Sequence, residues 1–154
     1  MKKRLIFWIY CVLLMCVCAL LYAATGNESG VLTSSVESRQ TEPLTKPVWE
    51  HVITWTYDSD DTGAETVSVP INGVLLKVVI DIPATTNTGT TSQVLIKDNG
   101  DHTVFDSGEQ AESDTVPYVF SVYEPLTGTI DVIYEPSGAS GSTVEYPVVT
   151  LRGI

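Results

Sequence analysis

Residues 65–82 read ETVSVPINGVLLKVVIDI. Two stretches of alternation meet in this run. Val67 and Val69 share one face of a short strand. Val74, Leu76, Val78, Ile80 and Ile82 share one face of a longer one, with Leu75, Lys77, Val79 and Asp81 opposite. Period two with one apolar face is the pattern of a half-buried β-strand. Asn72-Gly73 lies between the two stretches, and that pair suits the two positive-φ positions of a tight turn. The spacing therefore predicts a β-hairpin centred on residues 72–73.

The same pattern extends in both directions. Upstream, His51, Ile53, Trp55 and Tyr57 fall on one face of a strand. Downstream, residues 83–92 read as a Thr-rich loop, 93–97 as a strand, Asp98-Asn99-Gly100-Asp101 as a second hairpin turn, and 102–106 as the return. Residues 107–114 form an acidic loop. Val116, Tyr118, Phe120 and Val122 line the next strand, where Pro117 suggests an edge position. Pro125-Leu126-Thr127-Gly128 reads as a turn, and Ile130, Val132 and Tyr134 face inward after it. Residues 136–142 form a Gly/Ser loop. Val144, Tyr146 and Val148 then give way to Val149 and Leu151, a phase change that suggests a bulge. No amphipathic helix of ten residues interrupts the run. About eight short strands with turns every 8–12 residues predict an all-β, antiparallel two-sheet sandwich, Ig-like or jelly-roll-like.

This domain, 48–154, follows two other segments. Residues 5–24, LIFWIYCVLLMCVCALLYAA, carry no charge and follow Lys2-Lys3-Arg4. About 20 apolar residues behind a basic cluster make a hydrophobic helix that is either a signal peptide or a signal anchor. Ala24-Thr25-Gly26 offers a small-x-small cleavage site; the length of the run and its aromatic ends, Trp8, Tyr10 and Tyr22, suit retention. Met15 before Cys16 is a poor lipidation context. Either way residues 1–24 imply export, with the C-terminal domain periplasmic or extracellular, free or anchored. Residues 25–47, rich in Ser, Thr, Glu, Gly and Pro, read as a flexible polar linker. Asn27-Glu28-Ser29 matches a glycosylation sequon, relevant only in a eukaryotic secretory path.

Charge and cysteine usage exclude several roles. Beyond residue 24 there are five basic and 19 acidic residues, a net −14. Such a surface repels phosphate, which excludes nucleic acid as a partner. Cys11, Cys16 and Cys18 all lie in the hydrophobic run, so the domain has neither disulfide nor thiolate metal site. His51 and His102 stand in no zinc-binding spacing, and no G-x-S-x-G elbow presents a serine; the reading is non-enzymatic, with no catalytic residue and no cofactor. Asp58-Ser59-Asp60-Asp61-Thr62-Gly63 matches the first half of a calcium loop, making Asp58, Asp60 and Asp61 the candidate metal ligands. Val69 occupies the twelfth position, where such a loop needs a bidentate Glu, and aspartates in turns commonly serve the local backbone. Asp98, Asp101 and Asp106 carry the same ambiguity. Trp49, Trp55, Tyr57, Tyr118, Tyr123, Tyr134 and Tyr146 suit a sugar-stacking platform, although aromatic residues at strand spacing more often pack in a core.

From Trp55 onward the chain resembles small β-sandwich proteins of tailed bacteriophages. The resemblance rests on Trp55-Thr56, on residues 71–78 (INGVLLKV), on Pro83, Thr85 and the 95–101 turn (LIKDNGD), and on Val104-Phe105, Pro125-Leu126-Thr127, the Gly138–Gly141 loop and Val149-Thr150-Leu151-Arg152. It covers about 100 residues and implies a virion-associated structural module with no catalytic residues. Those phage proteins generally lack an export segment, and this chain departs from them there. The expected role is an exported or membrane-anchored structural or adhesion module. Its expected contacts are a protein partner or a second copy, and the membrane through residues 5–24 if they are retained. The alternative is a calcium- or carbohydrate-binding module using loops 58–63 and 98–106.

Overall fold

The computed structural model describes residues 29–38, 48–59, 61–86, 89–112, 116–139, 141 and 144–154. The hydrophobic helix expected over residues 5–24 lies outside them. So do Asp60 and most of the linker outside 29–38.

Eight strands are present: β1 (Ser29–Ser38), β2 (Val48–Thr56), β3 (Glu65–Asp81), β4 (Thr91–Lys97), β5 (Thr103–Asp106), β6 (Gln110–Ala111), β7 (Tyr118–Pro136) and β8 (Val148–Gly153). All pairings are antiparallel, in the order β1-β2-β8-β3-β7-β4-β5, with β6 against β4. The all-β, antiparallel, eight-stranded expectation holds, and no helix occurs among the described residues. Residues 29–38, read from composition as linker, instead pair along β2.

The two longest strands organise the rest. β3 runs 17 residues and β7 runs 19. The first half of β3 pairs with the second half of β7, and the second half of β3 with the first half of β7 and with β8. The hairpin expected at Asn72-Gly73 is therefore not formed. Asn72 faces Thr127 and Gly73 faces Leu126 within one ladder. A glycine is still required there, because its φ is 150° and a Cβ would meet the Ile154 carbonyl oxygen at 2.2 Å. Glycine inside a strand commonly marks such a close backbone approach. The Val74 N–H donates to that same oxygen over 2.7 Å. The turn expected at residues 125–128 is absent for a related reason. Gly128, at φ 88°, sits in β7 opposite Ile71, next to the Gly73 region. Together the two glycines let the paired strands bend without breaking.

A bulge between Leu75 and Lys77 shifts the phase of β3. Leu75 is consequently buried in place of Val74 and Leu76, while Val78, Ile80 and Ile82 face inward as expected. No bulge is present in β8. The odd positions from Glu145 to Gly153 all point inward, so Val144 and Tyr146, read as inward-facing, are exposed.

The sheet curls over its own core. Trp55 on β2 and Tyr134 on β7 stand three strands apart in the order, roughly 14 Å in a flat sheet. Their ring centroids are 5.6 Å apart. Tyr57 packs on Tyr134 at 5.4 Å, and its hydroxyl donates to the Tyr134 carbonyl over 3.2 Å. Ile53, Val69, Val78, Ile80, Val94, Ile96, Ile130, Val132, Val149 and Leu151 fill the remaining interior.

Candidate functional site

Three places carry polar or exposed groups worth weighing: the loop at 58–63 with its neighbours, the 98–102 turn, and the outer edge of β7.

Asp61 is buried, and its Oδ2 accepts the Asp58 N–H over 2.8 Å while its own N–H donates to the Asp58 carbonyl. Closing the turn is one role of this aspartate. Its Oδ1 is buried with no hydrogen-bond partner among the described residues. The loop is tied to residues 137–145: the Gly141 N–H donates to the Ser59 carbonyl, and Tyr57 and Glu145 exchange backbone hydrogen bonds. Glu145 is 8% exposed, and its Oε1 likewise has no partner among the described residues. Burial, and then the Glu112 carboxylate, push its pKa up to about 7. Glu112 stays below its ordinary value: burial opposes that, but N–H and hydroxyl donors from the 85–90 loop prevail. Glu145 and Glu112 escaped the sequence reading. Counting back in twos from Leu151 would have placed Glu145 on the inner face.

The 98–102 turn is a hairpin, as expected. Asp98 Oδ1 accepts the N–H groups of His102 and Gly100 over 2.9 and 2.8 Å. The His102 N–H leads in lowering the Asp98 pKa. Asp101 takes the left-handed position at φ 62° and pairs with Lys97 at 2.9 Å. The Gly128 Cα direction faces Asn99, which places this turn beside the middle of β7. Gly63 and Tyr57 instead lie by Tyr134. The two acidic loops are thus about six residues apart along β7, roughly 20 Å, and do not form a shared site. Among the described residues no three His, Cys, Asp or Glu side chains converge on a common point.

The aromatic residues divide. Trp49, Trp55, Tyr57 and Tyr134 are buried, whereas Tyr123 and Tyr146 are exposed. Burial pushes the Tyr134 hydroxyl pKa up, and that hydroxyl donates to Ser92 Oγ over 2.7 Å. His51 packs its ring 5.3 Å from Trp49 inside the core, and His102 lies at the surface far from it in sequence. A pocket of about 100 Å³ between β4, β6 and the end of β7 is lined by Thr91, Gln93, Glu109 and Glu135 among others. Ligand pockets usually hold about 300–1,000 Å³.

The outer edge of β7 is one of the backbone edges that the sheet leaves open, with those of β1, β5 and the first half of β3. Tyr118 to Pro125 pair with β3 on one side and with no described strand on the other. Pro117, read as an edge signal, immediately precedes this stretch. The open half of β3 carries Pro70, which has no N–H to offer, β5 is only four residues long, and β1 is broken by a bulge between Leu32 and Ser34. Between Pro117 and Pro125 the β7 edge has none of these protections. Val119 and Tyr123 project from it, 57% and 79% exposed.

No protein-family model and no curated protein match the chain. Several solved structures are similar to it. The enzymatically active domain of bacteriophage CBA120 tailspike protein 4 is 9% identical with a TM-score of 0.31; the match covers 84% of this chain and 19% of that one. TmCBM61 in complex with β-1,4-galactotriose is 10% identical with a TM-score of 0.36, covering 84% and 85% of the two chains. A family 35 carbohydrate binding module from Clostridium thermocellum is 12% identical with a TM-score of 0.31, covering 82% and 98%. At these scores the role has to be argued from the chain's own residues.

Proposed function

We propose that this chain is a non-enzymatic structural or adhesion module. In this reading it is a β-sandwich formed by one curled sheet, exported across a membrane and anchored there when residues 5–24 are retained. The observation that carries the reading is the open β7 edge: along the seven residues Tyr118 to Glu124, every second residue turns its backbone groups away from β3, and no Pro, Gly or Lys blocks pairing. Strand addition at such an edge joins backbone hydrogen bonds to side-chain specificity. The resemblance to tailed-phage sandwich proteins supports a virion-associated or prophage-derived setting.

The test is association of the full chain in detergent, by sedimentation equilibrium, against Ser121→Pro, which removes an edge N–H and stiffens the strand. The reading expects concentration-dependent association, weakened at least tenfold by the substitution. Association unchanged by Ser121→Pro, with the fold intact, would remove the edge from the account.

A second reading, a calcium-binding module, is supported by the buried, unpartnered Asp61 Oδ1. A thermal melt with millimolar calcium against chelator decides it: an unchanged midpoint ends that reading, and a rise that Asp61→Asn abolishes supports it. A carbohydrate version would need Tyr123 or Tyr146, the exposed aromatics, to stack on sugar.

A further inference from the structure

β1 changes the geometry of any anchor. The apolar run ends at Ala24 and β1 begins at Ser29. Five Cα steps reach ~18 Å at most. An anchored domain is therefore held against the bilayer by its β1-start end rather than floating on a 23-residue tether.

That end of the fold is identifiable from the register. Ser29 pairs with Thr56. On the other side of β2, Thr54 pairs with Val148 and Tyr57 with Glu145. Tyr146 therefore stands on the rung of Thr56 and Ser29, two strand spacings or roughly 10 Å from where the chain enters. Val144 lies just beyond. Val31 is two residues into β1. On the far side, Tyr118 pairs with Ile80 and Ile80 with Val149, which puts Val116 two residues outward at the same end.

All four side chains are exposed: Val116 67%, Tyr146 60%, Val31 55% and Val144 44%. The opposite end of the same strands, where Trp49 meets Gly153 and Val74 meets Ile154, exposes Val48 on β2 and, beside Glu124 on β7, Tyr123. Isolated exposed apolar residues need no explanation, but a group rimming one end does. Tyrosine is a residue of membrane–water interfaces, its ring apolar and its hydroxyl wet.

We propose that this end of the domain rests on the lipid surface of the bilayer that holds residues 5–24, with Tyr146, Val144, Val116 and Val31 in the headgroup layer. The inference depends on the anchored form of the function proposed above. The acidic surface favours a zwitterionic leaflet over an anionic one. The sheet axis then stands away from the membrane, and the 72–74 and 153–154 end points outward.

The experiment uses the full chain in phosphatidylcholine nanodiscs, with Cys11, Cys16 and Cys18 replaced by Ala apart from the single labelled position. A fluorophore is placed at Cys11, at Tyr146→Cys or at Val48→Cys, and quenching by lipids carrying shallow or deep nitroxides is compared. The inference expects deep quenching at 11 and shallow-nitroxide quenching at 146 at least threefold that at 48. Quenching at 11 with equal, weak signals at 146 and 48 overturns the inference and leaves the anchor standing. Absence of quenching at 11 overturns the anchored reading and the inference with it. A label at Val144→Cys repeats the test should the Tyr146 variant misfold.

Discussion

Replacing Glu145 by Gln should stabilise the protein at alkaline pH and leave it unchanged in acid. Glu145 lies on the bridge between Tyr57 and the 144–147 segment, buried, with one carboxylate oxygen unpartnered. Burial, reinforced by Glu112, raises its pKa from 4.5 to about 7. A raised carboxyl pKa means the fold prefers the protonated form. The stabilisation is complete below pH 4.5 and disappears as pH rises through about 7. At ~1.4 kcal/mol per pH unit the gap between 4.5 and about 7 caps the loss at ~3.5 kcal/mol. The segment borders solvent, and screening brings the expectation to about 1–2 kcal/mol. Asp98, Asp101 and Asp106 are shifted the other way, so total stability mixes opposing slopes. Both proteins share those groups, and the difference between them isolates Glu145. Urea unfolding followed by tryptophan fluorescence, Trp49 and Trp55 being buried reporters, gives that difference at pH 4 and pH 8.5. A difference that does not vary with pH, or a variant less stable at pH 8.5, refutes the reasoning.

Three further outcomes are expected. Ser107→Ala removes the hydroxyl that accepts the buried Val94 N–H over 2.8 Å, and should cost about 1–3 kcal/mol in the same urea assay. Gly153→Ala should cost at least about 2 kcal/mol, because its Cβ would collide with the Trp49 ring and the Val74 carbonyl oxygen; an unchanged midpoint would mean the C-terminal strand end is looser than its register implies. Arg152→Ala breaks the 2.6 Å contact with Glu50, both partly exposed, and should change stability by less than about 1 kcal/mol, less still at high salt.

Period-two alternation marks most of the core in the sequence itself. His51, Ile53, Trp55, Tyr57, Val67, Val69, Ile130, Val132 and Tyr134 point where alternation puts them, because one-sided burial leaves that trace in a strand. The failures share a cause. Asn72-Gly73 and the Pro125–Gly128 run have the chemistry of turns, yet local chemistry does not say whether a glycine reverses the chain or lets another backbone pass. The Ile154 approach to Gly73 is a contact between residues 81 apart in sequence, and no window of sequence contains it. β8 misled for a different reason. Glu145 and Pro147 hold inner positions, so a rule that equates inner with apolar selected the wrong face and hid Tyr146. The candidate metal aspartates were legible as a motif, while the burial of Asp61 was not, in a loop whose Ser59 carbonyl is held by the Gly141 N–H from 82 residues away.

The sharing of β3 and β7 between both halves of the curled sheet sets the order in which the chain acquires structure. Among the described residues β3 has hydrogen-bonded neighbours only in β7 and β8, both well C-terminal to it, and β2 gains its second neighbour from β8. A chain emerging N-terminus first can form the β1–β2 and β4–β5 hairpins and little else until about residue 134 appears. Closing such long loops is slow, and an isolated two-stranded hairpin is marginal in water. The domain is therefore expected to stay pliable during synthesis and then to fold in one cooperative step, with neither half persisting without the other.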